Sequence, residues 1–358
     1  MANTILLGTR KGLVVYRRKA NRWKVDRVHF TGFPVTLADR DEQGSWWALL
    51  DHGHWGCKLH RSDDEGETWT EFAGPAFSEG DETKPGKPAT VKYLWAFAAG
   101  GATYPNRIWV GTEPGGLFLS EDRGATFSLV RSLWDYPGRA EQWFGGGRDD
   151  AGIHSILVDP RDNDHIHIGI SCAGVFSSPD SGKTWQVKNK GLRADFLPDP
   201  DTEVGHDPHL LVRSQQHPDV LWQQNHCGIF RSTDNGNNWQ EISQTDGPAR
   251  FGFAIAADPA DPLAAWVVPA DSDAIRVAME LALCVSSTHG GGRTWVAHRD
   301  GLPQVQAFDI AYRHALDYRN GELVFGTTTG NCYHSANRGA QWTCLHSNLP
   351  MIHSVRFV

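Results

Sequence analysis

The chain has 358 residues, 40% of them hydrophobic and 21% charged, with a formal net charge of −8 and a pI near 6.1. This is the composition of an ordinary globular protein and excludes disordered and fibrous classes. The mildly acidic balance lacks the clustered Lys and Arg that nucleic acid or an anionic membrane surface would call for, so neither partner is expected.

In chain order, MANTILLGTRKGLVVY reads as two short strands about a polar turn rather than as a signal peptide. No stretch approaches 18 apolar residues, and a cytoplasmic location is the expectation. ILLGT, GLVVY and RWKVDRV supply three consecutive strands. SDDEGETW then appears at 62–69, SEDRGATF at 120–127, SPDSGKTW at 178–185 and STDNGNNW at 232–239. Two altered copies follow: THGGGRTW at 288–295, without the acid, and SANRGAQW at 335–342, with Asn337 in its place. The aromatic anchors Trp23, Trp69, Phe127, Trp185, Trp239, Trp295 and Trp342 recur every 46 to 58 residues, which defines seven units.

Each unit reads as strand, Asp-Pro turn, strand, Gly turn, strand, motif, strand, as in HSILVD, RIWVGT and GLFLS before their motifs. Four antiparallel strands per unit make a propeller blade. Within the motif, Asp180 is expected to accept turn amides and Gly182 to supply a positive φ, with Trp185 packed between blades. These acids are therefore structural. The N-terminus lacks the first strand of a blade, and MIHSVRFV at 351–358 matches GIHSILVD at 152–159. The last strand is expected to complete the first blade. The prediction is an all-β, seven-bladed β-propeller occupying 1–358 as one domain. The six cysteines show no C-x-x-C spacing and read as reduced thiols.

On the strength of these motifs the sequence resembles the Asp-box (BNR) repeat proteins of the sialidase-like superfamily, specifically a bacterial sialidase-like, glycosyl-hydrolase-like or photosystem assembly factor-like group. GIHSILVDP, GLRADFLPDP at 191–200 and QQNHCGIFRS at 223–232 are similar to that group in particular. The resemblance implies the fold and leaves the chemistry open. True sialidases of this architecture carry a FRIP segment, an arginine triad and a Tyr/Glu nucleophile pair. Here GTRKG stands in the first blade, no Tyr stands out as nucleophile and seven blades replace six, so sialidase activity is not expected.

Blade topology places the loops entering the innermost strands and the second-to-third-strand turns on one face, opposite the motifs. That face receives Arg10, His52, His54, Glu113, Trp143, Arg148, Asp149, Asp150, Cys172, Asp207, Asn225, His226, Cys227 and Arg250. Arg10, His52, His54, Trp143, Arg148, Asn225 and Arg250 are candidate ligand contacts, the arginines as bidentate grips for an anion. His154, His209 and His353 share one register position in three innermost strands; with His226 they are candidate ligands for a Zn-type divalent metal. His154, His209 and His226 with Glu113 and Asp207 are candidates for acid–base catalysis. Asp149 and Asp150 are expected as a solvated loop tip, and Cys227 as a packing residue. The leading reading is a hydrolase or lyase acting on a small polar or carbohydrate-like ligand at the channel mouth. The alternative is a non-catalytic binding or assembly propeller with a protein partner.

Overall fold

Turn residues every few positions cut the chain into short strands, and the computed structural model, which describes residues 3–20, 22–244 and 246–358, arranges them in seven four-stranded antiparallel sheets. The seven innermost strands are Ile352–Phe357, Val35–Arg40, Tyr93–Ala99, Ile153–Val158, Pro208–Arg213, Gly252–Ala257 and Leu316–Arg319, for blades one to seven. Each touches the next around a closed ring. No helix among the described residues is long and apolar enough to cross a membrane.

Closure occurs as the sequence indicates. Ile352–Phe357 pairs antiparallel with Thr4–Thr9, Leu7 lying opposite Val355, so the first blade is built from both ends of the chain. Ile5, Leu7, Ile352 and Val355 are completely buried at this seam. A sheet edge left open here would expose a row of unpaired amides and carbonyls.

Both faces of every sheet pack on neighbouring blades, so second strands such as Ile166–Ile170 and Ala265–Pro269 are buried throughout rather than alternately. Radial sheets diverge outward, and the widening gap is filled by large rings: Trp46, Trp47, Trp109, Trp222 and Trp266 all lie in second strands and are almost wholly buried. Several reach the repeated turn of the following blade. Trp266 Nε1 donates to the Arg338 carbonyl at 3.0 Å. A Cβ added to Gly124 would stand 3.0 Å from the Trp47 ring.

The repeated turns share one hydrogen-bond pattern. In the fourth blade Ser178 Oγ accepts the Gly182 amide at 2.8 Å, while Asp180 accepts the Thr184 amide at 2.8 Å and its hydroxyl at 2.7 Å. Asp64, Asp122 and Asp234 repeat it, and Asn337 accepts the Gln341 amide in the altered copy. The residue before each turn glycine is also left-handed, with φ of 58° at Ser181 and 81° at Gly182. The fifth motif, which lacks the acid, has Gly291 at that strained position and so carries no β-carbon penalty.

Two outcomes follow from this architecture. Deleting residues 351–358 should cause aggregation or a large fall in melting temperature, read by light scattering and calorimetry; a monomeric truncation with unchanged melting would refute closure at this seam. Asp180→Ala removes acceptors from a solvent-facing turn, so it should cost about 1 kcal/mol in urea unfolding, with ligand binding at the opposite face unchanged per folded molecule.

Candidate functional site

The site begins with a break in strand pairing. In five innermost strands the register to the second strand slips by one residue, between Val35 and Leu37, Leu94 and Ala96, Ile153 and Ser155, Pro208 and Leu210, and Gly252 and Ile255. A sixth slip lies at Thr9 opposite Ile352 and leaves His353 unpaired. Such a bulge re-aims the extra side chain. Thr36, Trp95, His209, Phe253 and His353 thereby line a cavity of about 640 Å³ at the channel mouth, joined by His314 from the seventh blade. His154, at the same register, is fully buried and is not among the cavity-lining residues. Its Nδ1 lies 2.8 Å from Ser155 Oγ and its ring meets Trp95 edge-on at 5.7 Å. Burial, reinforced by the charge of Arg313, drives its pKa well below the usual imidazole value.

Of the residues singled out from sequence, the structure brings three together. Asp207 Oδ2 stands 3.6 Å from both His209 Nε2 and His226 Nδ1, and Asp207 Oδ1 accepts the Cys172 amide at 3.2 Å. His209 Nδ1 lies 2.6 Å from the Gly252 carbonyl. A carbonyl only accepts, so Nδ1 carries the proton and Nε2 turns its lone pair to Asp207. His209 also stacks on Phe253 at 4.5 Å. Burial would raise the Asp207 pKa, but the interaction with His209 and the charges of Arg313 and His226 outweigh it and hold the carboxyl well below its usual range.

The cationic side of the cavity comes from Arg148, Arg276 and Arg313. Arg148 pairs with the buried Glu113 and lies over the rings of Tyr93 at 4.3 Å and Trp95 at 4.5 Å. Burial raises the Glu113 pKa, and Arg148 opposes that rise. Arg276 Nε donates to the Asp273 carbonyl at 3.0 Å. Arg313 lies over Trp95 at 4.7 Å and Phe253 at 5.7 Å. Its Nε is buried without a hydrogen-bond partner, and among the described residues it has no ion pair. Burial pushes its pKa down to about 10, which leaves it charged at neutral pH.

The other sequence candidates lie elsewhere. His353 lines the cavity through the first blade, with Nδ1 3.2 Å from the Val35 carbonyl, apart from the Asp207 group. Of the four imidazoles expected to converge, His209 and His226 come together with Asp207, while His154 and His353 lie apart from them. Arg10 is exposed, its amide tied to the Met351 carbonyl. His52 stacks on Phe33 at 4.4 Å beside His60, and His54 is exposed next to Trp55; neither lines the cavity. Trp143 is buried against Phe176, and Arg250 faces Asp271 at 3.9 Å. Asn225 is fully buried and locks its turn by accepting the Cys227 amide at 3.0 Å. Cys227 is half-buried. Asp149 is solvated as expected, but Asp150 is buried because Lys87 and Lys92 grip it at 2.7 and 3.0 Å.

Sequence reasoning passed over Arg313, Tyr93, Trp95, Phe253 and His314. Alignment of all seven innermost strands, rather than of the three that share a histidine, would have placed Trp95 and Phe253 at the channel.

No protein-family model matches the chain. Over 155 residues it is 25% identical to a probable oligoxyloglucan-reducing end-specific xyloglucanase of Neosartorya fischeri, a match covering 43% of this chain and 16% of the relative's length. The chain thus spans under a sixth of that protein. In structure it is similar to an ancestral GH74 enzyme, with a TM-score of 0.59 and 16% identity over 95% of this chain and 39% of the other. It is also similar to YCF48 from Cyanidioschyzon merolae, with a TM-score of 0.52 and 14% identity over 92% and 95% of the two chains. These likenesses establish a shared propeller fold.

Proposed function

We propose that the channel-mouth cavity binds a small carbohydrate-like ligand carrying a carboxylate or phosphate, and that the chain is a hydrolase or lyase acting on it. The observation that carries this reading is Arg313: a charged guanidinium at a cavity wall, held between Trp95 and Phe253, with its Nε unsatisfied and no carboxylate paired to it. Leaving such a donor unmade is costly, and an anionic group of a ligand would satisfy it. Aromatic faces beside it suit the apolar face of a sugar ring, and the volume of about 640 Å³ suits a ligand of one or two rings. Asp207, kept ionised between two imidazoles, supplies a fixed negative charge in the cavity wall beside Arg313. The partial likeness to a xyloglucanase and the fold shared with a GH74 enzyme support a carbohydrate ligand.

A second reading, a protein-binding propeller, has its own support. The fold matches YCF48 along nearly the whole of both chains. Ile275, Val305 and Phe308, exposed by 55%, 79% and 59%, lie in loops between the sixth blade's second and third strands and before the seventh blade's first strand.

Calorimetric titration with gluconate, glucuronate and glucose 6-phosphate, against glucose as the neutral control, tests the first reading. At least one anionic sugar should bind, and Arg313→Gln should weaken it about 10- to 100-fold, the worth of one charge-assisted hydrogen bond, while the melting temperature stays near that of the wild type. Equal affinity for glucose, or no loss in the variant, would sink the anion reading; absence of any sugar binding at millimolar concentration would put the protein-binding reading ahead.

A further inference from the structure

We infer that Asp207, His209 and His226 form a divalent transition-metal site in the cavity wall, with Asp207 Oδ2, His209 Nε2 and His226 Nδ1 as its protein ligands. The inference goes beyond the proposed function and holds whatever the cavity's organic ligand is.

His209 Nδ1 is committed as a donor to the Gly252 carbonyl at 2.6 Å, so Nε2 has no proton to offer Asp207 in the neutral ring. His226 stands between two carboxylates, its Nε2 3.4 Å from Asp273 and its Nδ1 3.6 Å from Asp207; with its proton toward Asp273, the Nδ1 lone pair faces Asp207. Asp207 Oδ1 is occupied by the Cys172 amide at 3.2 Å, and Oδ2 is turned to the two rings. Three groups able to donate electron pairs thus converge, at 3.6 Å from Oδ2 to each nitrogen. A proton or a metal ion among them relieves the repulsion of their lone pairs.

The spacing fits a metal ion. Ligand atoms about 2.0–2.1 Å from a tetrahedral Zn²⁺ stand about 3.4 Å from one another, close to the 3.6 Å from Asp207 Oδ2 to each nitrogen, and all three ligand atoms lie within 4.8 Å of one another. The surroundings fit as well. Imidazole ligands of metals characteristically donate their other N–H to a carbonyl or carboxylate, which fixes tautomer and ring orientation, and Gly252 and Asp273 are such partners. Two imidazoles and one carboxylate suit Zn²⁺ or Fe²⁺. A set of three leaves at least one coordination position open, as in catalytic rather than structural zinc sites. All three ligand residues line the cavity that Arg313 also lines.

Local sequence explains the convergence. Asp207 and His209 flank Pro208 where an innermost strand begins, and the bulge at His209 turns its ring into the cavity. The His226 amide donates to the Asp207 carbonyl at 2.9 Å, which ties the adjoining turn to that strand. A rival trio, His52, His60 and Glu71, lacks these features. Glu71 is half exposed and already faces Lys58 at 3.4 Å, and neither His52 Nε2 nor His60 Nδ1 has a partner to orient its ring.

The test is to strip the full-length protein with EDTA and titrate it with Zn²⁺, Co²⁺, Mn²⁺ and, without oxygen, Fe²⁺. Calorimetry gives stoichiometry, and visible absorption of the Co²⁺ form reports nitrogen and oxygen ligation. One equivalent of at least one ion is expected, with affinity lowered 100-fold or more in Asp207→Asn and His226→Gln and unchanged in His60→Gln. His226 is partly solvent-exposed, so His226→Gln should melt as the wild type does and decides the matter even where Asp207→Asn folds poorly. Less than a tenth of an equivalent of every ion in the wild type would overturn the site. So would binding that survives His226→Gln, or that is lost in His60→Gln.

Discussion

In a ring of radial sheets both faces of every blade are spoken for by its neighbours, so a side chain that alternates regularly along an innermost strand points into an interface and never to the axis. The one-residue bulge breaks that alternation. It leaves Thr36, Trp95, His154, His209, Phe253 and His353 outside the ladder, and all but His154 reach the cavity. The site is therefore a property of the innermost strands' pairing, and the loops above add to it.

This constraint separates what was legible in the sequence from what was not. Blade number, strand order and closure could be read because the Ser-x-Asp-x-Gly turn closes hydrogen bonds four residues apart, so its requirements are local and recur as letters. The register of His154, His209 and His353 could be read because three blades carry the same residue there. Trp95 and Phe253 hold the same register with other chemistry, and a search for like residues passes over them. Loop topology gives a face but not a radius: His52 and His54 stand on the face that was expected, yet away from the channel. Asp150 is buried for a reason no local window contains, since its lysines lie 63 and 58 positions earlier in the chain.

Two arginines on one wall show why composition alone could not tell a neutralised guanidinium from an available one. Arg148 was visible from sequence and does line the cavity, but the buried Glu113 already neutralises it, and each partner lowers the cost of desolvating the other. Arg313, one residue before a histidine in an unremarkable AYRHAL stretch, has aromatic faces where Arg148 has a carboxylate. Cation–aromatic contacts hold a guanidinium in place without consuming its N–H donors. Arg313 is thus positioned yet still available, while Arg148 is positioned and spent.

Asp207 completes the electrostatic logic. Its wall holds two imidazoles and a guanidinium that remains charged, so the carboxylate is stabilised by position rather than by solvent. The turns that fasten the blades lie on the opposite face and bond among their own residues and to the neighbouring blade, as Trp266 of the sixth blade does to Arg338 of the seventh. Nothing in those bonds depends on what occupies the bulge. Channel residues are consequently free to change while blade packing stays fixed, which accounts physically for a propeller that superimposes on a GH74 enzyme and on YCF48 at 16% and 14% identity. The proposed site draws on Asp207, His209, His226 and Arg313, each placed by an innermost strand, its entry loop or the turn beside it, and none by the repeat that reveals the fold.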